Sequence, residues 1–239
     1  MNSSSASTSS LIRVPLGSGS VSPGDALVEC LLPHVDADES SRHTNSKPGS
    51  YGSSTSVLSS PDSSPSPVMP LATHPAVVAA QTECQSLQNG NDVRVLEDDD
   101  VREAVVQVLG RDAELIFPTR SVLRYLVLFV KHLAQFVELR VEVVDDKQRF
   151  REFVITNARS LARVDGDTCQ LPLLLGDASS PGWRYLCMDL VDLTQQAFGS
   201  RHVATTLVRV GGSCRLLRVF FQDERYADAD LPPHLTFLG

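Results

Sequence analysis

The strongest constraint on the fold is a change in composition near residue 92. Residues 1–92 contain 22 serines and a single aromatic residue, Tyr51, and every other aromatic residue lies beyond that point. A segment with so few large apolar side chains buries too little surface to offset the conformational entropy lost on folding. The composition therefore predicts a tail over 1–92 that is disordered unless a partner orders it. It also predicts a folded domain over 93–239, long enough for one well-buried core.

The charge of the chain argues against nucleic acids and membranes as partners. The formal net charge is −8, and residues 1–92 contribute −5 of it, with three Lys and Arg against eight Asp and Glu. Binding to either polyanion requires clustered basic surface. The longest apolar run, residues 126–130, is far shorter than the ~20 residues of a membrane-spanning helix. We therefore expect a soluble protein that binds neither nucleic acid nor membrane.

The tail carries two features with possible functions. The apolar segment 71–80 is suited to docking, either on the folded domain or on a partner. Proline-directed phosphorylation would add about −1.5 to −2 charges at each Ser-Pro step, and an unmodified linker is the equal alternative. The candidate phosphorylation sites are Ser22, Ser60, Ser64 and Ser66.

Beyond Val101, short apolar segments recur about every 8–12 residues between turn signals, as in an all-β protein. Alternation is strongest over 136–144, where valine and leucine on one face alternate with charged residues on the other. The preceding segment, 124–131, fits a strand that ends in the turn KHLAQ, although its apolar spacing also fits a helix. The sequence GGS at 211–213 predicts a hairpin turn between strands over 202–210 and 214–222. The other predicted strands cover 101–110, 113–118 (stopped by Pro118), 149–156, 169–175 and 183–190.

One short helix is predicted, over 192–198, with Asp192 as its N-cap and Gly199 as its C-cap. Many short strands with one helical turn are typical of an antiparallel β-sandwich or jelly roll. The predicted fold class is therefore all-β, with one short helix and a disordered Ser/Pro-rich N-terminal tail.

The residues give no positive support for an enzyme or a bound cofactor. Cys187, Asp189 and His202 are the nearest approach to a nucleophilic site, but a cysteine inside a strand usually packs as a small hydrophobe. The histidines and cysteines lack the spacings of metal sites. The acidic run at 97–100 lacks the alternating ligands and glycine of a calcium loop, so it is interpreted as a solvated charge run.

Three segments, in order, resemble the domain family of cilia- and flagella-associated protein 20, a flagellar inner-junction protein. The first, VEVVDDKQRFREFVITN (141–157), is similar to a family strand ending V-x-V-x-D-D-K that leads into R-x-F-x-x-S-N, with Thr156 in place of the serine. The second is GWRYLCMDLVDLTQQAFG (182–199) and the third is CRLLRVFFQDERYADADLP (214–232). The resemblance covers roughly residues 94–232.

This resemblance implies a β-sandwich without catalytic activity that stabilises doublet microtubules in the axoneme of cilia or flagella. The implied partners are tubulin and neighbouring axonemal proteins. The alternative is a soluble β-sandwich adaptor or glycan-binding module that is not attached to microtubules. Exposed aromatic platforms would favour the glycan-binding module, and the candidates are Tyr51, Trp183, Tyr185 and Tyr226.

The chain departs from the family mainly in its basic residues, which identifies it as a divergent member. Non-basic residues stand where family members tend to carry Arg, namely Val154, Leu174, Gln195, Gln196 and Leu217. The candidate partner interface consists of Lys147, Arg149, Arg215, Arg218 and Arg225. Charges at strand edges or turns that only prevent aggregation are the alternative interpretation of these five residues.

Overall fold

The computed structural model describes residues 11–14, 26–32, 71–87, 90–175, 182–232 and 235–236. Within these residues the chain forms eleven strands, two α-helices and two short 3-10 helices. The strands are β1 (Leu11–Val14), β2 (Ala26–Leu32), β3 (Asp92–Asp98), β4 (Glu103–Leu109), β5 (Glu114–Ser121), β6 (Tyr125–Asp145), β7 (Phe150–Thr156), β8 (Arg163–Asp165), β9 (Thr168–Pro172), β10 (Gly182–Asp189) and β11 (His202–Gln222). The helices are α1 (Pro75–Leu87), α2 (Leu190–Phe198), and the 3-10 helices η1 (Leu71–Thr73) and η2 (Asp228–Asp230).

A folded ribbon made of β6 and β11 organises the whole domain. Each strand is 21 residues long, and the two pair along their whole length, from Gln222 opposite Tyr125 to His202 opposite Asp145. A straight ribbon of that length would span about 70 Å, so it bends near its middle. The register there passes from Gly212–Val137 to Cys214–His132, which leaves residues 133–136 opposite a single residue of β11.

The bend produces two sheets that pack face to face. The first half of β6 and the second half of β11 pair with β10 on one side, and with β2 and the β3–β4 hairpin on the other. The other halves pair with β5 on one side and with β7, β9 and β8 on the other. Inward side chains from both halves of β6, such as Leu128 and Val141, belong to one buried cluster. The predicted all-β sandwich is therefore confirmed.

Two predicted turns are wrong, because both mark the bend and neither reverses the chain. KHLAQ lies inside β6 and GGS lies inside β11, on facing strands of the ribbon. Ala134 has φ 56° and Gly212 has φ 91°, conformations that turns and bulges share. Both segments therefore have the backbone conformation of a turn, but each pairs with the other strand of the ribbon and not with its own continuation.

The predicted end of a strand at Pro118 is also wrong, since β5 continues to Ser121. Among the strands that the structure describes, β5 pairs only with β11, and an edge strand tolerates the missing N–H of a proline.

Two described segments within 1–92 pack onto the sheets. Leu32 of β2 is buried beside β11, and Leu71, Val77 and Ala80 are buried in the main core cluster. Segment 71–80 therefore docks on the domain, which was the first of its two predicted options. Helix α1 was not predicted from the sequence. The predictions for most of the tail lie outside the described residues.

Helix α2 closes the open end of the folded ribbon. Its backbone begins at Leu190 beside the first sheet, and its apolar residues Leu193, Ala197 and Phe198 pack against the main core. The N-cap is Asp189, whose carboxylate accepts the Asp192 N–H at 3.1 Å, so the prediction of Asp192 as N-cap was wrong. The helix starts at Leu190, two residues before the predicted start at residue 192. Leu190 is apolar and buried, so the polar residues alone did not mark this start. Gly199 is confirmed as the C-cap, with φ 59°.

Candidate functional site

Arg215, a predicted interface residue, belongs to an internal charge cluster on the first sheet. The Asp98 carboxylate is fully buried and accepts hydrogen bonds from Arg215 Nη1 at 2.5 Å, Lys131 Nζ at 3.0 Å and Trp183 Nε1 at 3.2 Å. Burial alone would raise the pKa of Asp98, but these donors and the Asp100 N–H lower it to about 2. The acidic run at 97–100 is therefore not wholly solvated, contrary to the prediction. The β3–β4 hairpin places Asp98 against two cations.

Arg218 is also internal. Its side chain is 1% exposed, and Nη2 lies 3.0 Å from the Glu103 carboxylate. Burial lowers the pKa of Arg218, and the charge of Glu103 opposes this effect. Its place in the interior excludes Arg218 from the candidate interface of the folded chain.

Lys147 and Arg149 lie on an exposed turn between β6 and β7. The buried Asp145 carboxylate accepts the N–H groups of Lys147 and Arg149, both at 2.9 Å, and Arg151 Nε at 3.0 Å. Burial would raise the pKa of Asp145, but the Arg149 N–H, the Arg151 guanidinium and further donors hold it well below its usual range. One buried carboxylate therefore shapes the turn, and the Lys147 and Arg149 side chains are left exposed.

Arg225 lies on the surface near the start of β6. Its guanidinium is 5.2 Å from the centroid of the Tyr125 ring, and Arg124 lies 5.1 Å from the same centroid. Arg124 also pairs with Asp189 at 2.7 Å. Arg225 is therefore an exposed cation next to the start of α2.

Helix α2 connects the turn that carries Lys147 and Arg149 with the surface around Arg225, at one end of the sandwich. The Leu190 N–H donates to the Arg124 carbonyl at 2.9 Å, and Lys147 Nζ donates to the Gly199 carbonyl at 3.3 Å. The nine residues of α2 span about 13 Å, close to the separation of two packed sheets. We call this surface the basic end, and its exposed cations are Arg120, Arg124, Lys147, Arg149, Arg201 and Arg225.

Sequence reasoning found three residues of the basic end and missed Arg120, Arg124 and Arg201. These three are isolated along the chain, and no local pattern distinguishes them. The pairing of β5, β6 and β11 brings them together.

The family-model comparison matches a CFA20 domain over residues 77–238. The chain belongs to the CFA20 domain family. It is 28% identical over 158 residues to cilia- and flagella-associated protein 20 of Paramecium tetraurelia, covering 62% of this chain and 80% of that protein. The protein of the same name in Chlamydomonas reinhardtii is 29% identical over 157 residues, with 62% and 80% covered. The Caenorhabditis elegans protein is 26% identical over 155 residues, with 61% and 74% covered.

The CFA20-like segment 141–157 holds the ribbon bend in place. Asn157 Oδ1 accepts the Val137 N–H at 2.9 Å, and Asn157 Nδ2 donates to the Gln135 carbonyl at 2.7 Å. Thr156 Oγ1 donates to the Val137 carbonyl at 3.0 Å. The polar groups that the bend frees from regular pairing are thus satisfied by two adjacent side chains. The resemblance at these residues reflects architecture.

The five positions at which the resemblance led us to expect a family arginine lie in different surroundings. Leu217 is 1% exposed and packs in a small cluster with Val105 and Phe129. Gln195 and Gln196 are exposed on α2, at the basic end. Leu174 is 82% exposed away from that surface and Val154 is 8% exposed, so two of the five positions lie at the basic end.

The environments of Cys187 and His202 do not favour the cysteine-nucleophile hypothesis. Burial raises the pKa of the Cys187 thiol. Burial also lowers the pKa of His202 to about 4, although Asp189 opposes this, and His202 Nε2 lies 3.1 Å from Thr205 Oγ1. A protonated thiol is not the thiolate that such chemistry uses, and a neutral imidazole supplies no positive charge to favour one. All five cysteines are free thiols.

The described aromatic candidates for glycan binding are engaged in internal contacts. Trp183 donates to Asp98, Tyr226 Oη donates to Asp223 at 2.7 Å, and Tyr185 packs on Phe129 with ring centroids 5.5 Å apart. Tyr51 lies outside the described residues, as do Ser22, Ser60, Ser64 and Ser66. Sequence therefore remains the sole basis for predicting phosphorylation at those serines.

Two further searches cover only the described residues. Among them, no group of three or more His, Cys, Asp or Glu side chains is arranged to hold a metal ion. No helix in that part of the chain is long and apolar enough to cross a membrane.

A polar cleft of about 350 Å³ lies beside the ribbon bend, lined by Arg111, Glu114, Glu138, Arg140 and Arg209 among others. Its charges are largely matched internally, since Arg140 pairs with Glu138 at 2.6 Å and Arg209 approaches Glu114 at 3.8 Å. This balance leaves the basic end as the better candidate for a partner interface.

Proposed function

We propose that this chain is a non-enzymatic structural protein of the ciliary or flagellar axoneme that stabilises doublet microtubules. The match to the CFA20 domain over residues 77–238 carries the proposal. The relatives are named for association with cilia and flagella, and we extend that association to this chain. In the proposal the partners are tubulin and neighbouring axonemal proteins.

The distribution of charge supports a binding role for this domain. On the first sheet, Arg215 and Arg218 are held by internal carboxylates. Six exposed cations instead lie together at the basic end, although the formal net charge is −8. Such a local patch attracts an acidic partner such as tubulin without making the whole protein polycationic.

Retention on detergent-extracted axonemes tests the proposal. The tagged chain expressed in ciliated cells is expected to remain with the axoneme after extraction. A variant with Lys147→Glu, Arg149→Glu and Arg225→Glu is expected to be lost, because reversed charge repels an acidic surface. Arg163→Glu is the matched control, since Arg163 is exposed on β8 and pairs with Asp165. Wild-type protein that is diffuse in the cytosol and absent from extracted axonemes would contradict the proposal.

A further inference from the structure

Five apolar residues line up at the open end of the second sheet, and two of them, Val144 and Ala204, are half-buried. Phe150 on β7 lies opposite Val144 on β6, and Val144 lies opposite Ala204 on β11. Val203 lies in the bulge beside Ala204. On the other side of β11, Thr205 pairs with Ser121 of β5, and Val122 directly follows Ser121 in the chain. At an interstrand spacing of about 4.8 Å, the row is about 14 Å long.

The side chains of this apolar row point to solvent. Val122 is 69% exposed, Phe150 61% and Val203 47%, whereas their inward chain neighbours Ser121, Arg151 and His202 are 1%, 7% and 8% exposed. Alternation of side chains explains the difference, because the row lies on the outer face of the sheet. Large exposed apolar side chains that adjoin one another usually mark a binding surface.

Four cations of the basic end border the row. Arg120 precedes Val122 by two residues, Arg201 precedes Val203 by two, and Lys147 and Arg149 lie in the turn just before Phe150. By the alternation of β5, Arg120 projects from the same face as the row. None of the four makes an ion pair with another residue in the described ranges, although Lys147 does donate to the Gly199 carbonyl.

Two nearby glutamates are engaged elsewhere, whereas Asp146 lies within the border. Glu142 accepts the Thr206 hydroxyl at 2.5 Å, and Glu152 lies 3.7 Å from Arg140. The Asp146 carboxylate accepts the Arg201 N–H at 3.1 Å. Against the single Asp146 carboxylate, the four cations give the border of this exposed apolar surface an excess of positive charge.

We propose that this surface binds an acidic segment of a partner protein that carries bulky apolar side chains. The apolar row supplies the hydrophobic contact, and the four bordering cations pair with carboxylates on either side of it. A second copy of this chain fits poorly, because a two-fold contact places the same cations against one another. The inference rests on the proposed function only in treating the basic end as an interface.

Fluorescence anisotropy with the full chain and a defined peptide tests this inference. The probe is a labelled nonapeptide, Glu-Glu-Asp-Leu-Phe-Asp-Glu-Leu-Glu. Phe150→Ser is expected to weaken binding about tenfold, since it removes the largest apolar contact. Lys147→Glu with Arg149→Glu is expected to weaken binding by a similar factor, and raised salt should weaken binding to the wild type.

Matched controls separate this surface from general stickiness. Leu174→Ser removes an apolar side chain that is 82% exposed elsewhere, and Arg163→Glu reverses an exposed cation away from the row. Both variants should bind the probe as the wild type does. A peptide with serine in place of its Leu and Phe residues should bind about tenfold more weakly than the probe.

Several results would overturn the inference. The first is that no binding is seen at about 1 mM probe. The second is that the serine peptide binds as tightly as the probe, and the third is that the affinity of Phe150→Ser for the probe stays within twofold of the wild type. Concentration-dependent dimers that Phe150→Ser abolishes would assign the row to a second copy. Because the peptide assay needs no cilium, failure of axonemal retention would not contradict this inference. Failure of peptide binding would likewise not contradict the proposed function.

Discussion

At the scale of single residues, buried polar groups give this domain both its specificity and its sensitivity to acid. Asp98 and Asp145 are almost completely buried and are compensated by cations and backbone N–H groups. His202 is 8% exposed, and no carboxylate in the described part of the chain lies within hydrogen-bonding range of its ring. Carboxylates with a depressed pKa contribute stability that is lost only in strong acid, whereas a buried neutral histidine penalises folding at milder pH.

We predict that His202 causes a loss of stability between pH 6.5 and pH 4. Burial lowers its pKa to about 4, so in this window the unfolded chain binds a proton that the folded chain does not. Unfolding is therefore favoured as the pH falls, by about 2 kcal/mol at pH 5 relative to neutral pH. Urea denaturation at several pH values would measure this, and His202→Gln should flatten the profile. An unchanged profile in that variant would contradict the assignment.

At the scale of elements, the bend of the β6–β11 ribbon is the feature on which the sandwich depends. Gly212 faces the carbonyl of Phe136, and a Cβ added at Gly212 would overlap that oxygen. Thr156 and Asn157 satisfy the backbone groups of the bend. The ribbon folds at this point because Gly212 of β11 has no side chain there and because Thr156 and Asn157 provide the hydrogen bonds.

Gly212→Ala is predicted to lower the free energy of unfolding by about 3 kcal/mol or more, because φ 91° and the Phe136 carbonyl both oppose a Cβ. Gly166→Ala is the matched control, since Gly166 has φ 61° but no atom within 4 Å of an added Cβ. It should cost about 1 kcal/mol from its left-handed backbone alone. Chemical denaturation of both variants measures the difference, and equal losses would argue against a steric role for the bend.

At the scale of the whole molecule, the packed domain includes residues that composition alone assigned to the tail. Val77 of α1 is fully buried, while its neighbour Val78 is 45% exposed. The CFA20 match also begins within this helix. The helix covers apolar residues of β3 and β5 that would otherwise face water.

We predict that Val77→Asp destabilises the domain by about 3 kcal/mol or more, because it places an unpaired charge in the core. Val78→Asp makes the same change on the exposed face of the same helix and should cost less than about 1 kcal/mol. The midpoint of urea unfolding distinguishes the two variants. Similar midpoints would mean that α1 is not part of the cooperative unit.

Short-range patterns predicted part of this structure well. Alternation identified the second half of β6, and the helix that ends at Gly199 followed from turn and cap chemistry. Long-range positions were not accessible in this way. Asp98 looks like one acid in a solvated run until the β3–β4 hairpin places it beside Lys131 and Arg215.

The sequence by itself determined the all-β class, the family and the outward projection of Lys147 and Arg149, because alternation, turn residues and motif order are local properties. Only the tertiary structure decided that GGS and KHLAQ form one bend, that Arg215 and Arg218 pair with carboxylates of the β3–β4 hairpin, and that scattered cations border an apolar row. Each of these depends on which distant strand lies alongside. The free energy of that pairing comes from residues far apart in the chain, which no local pattern records.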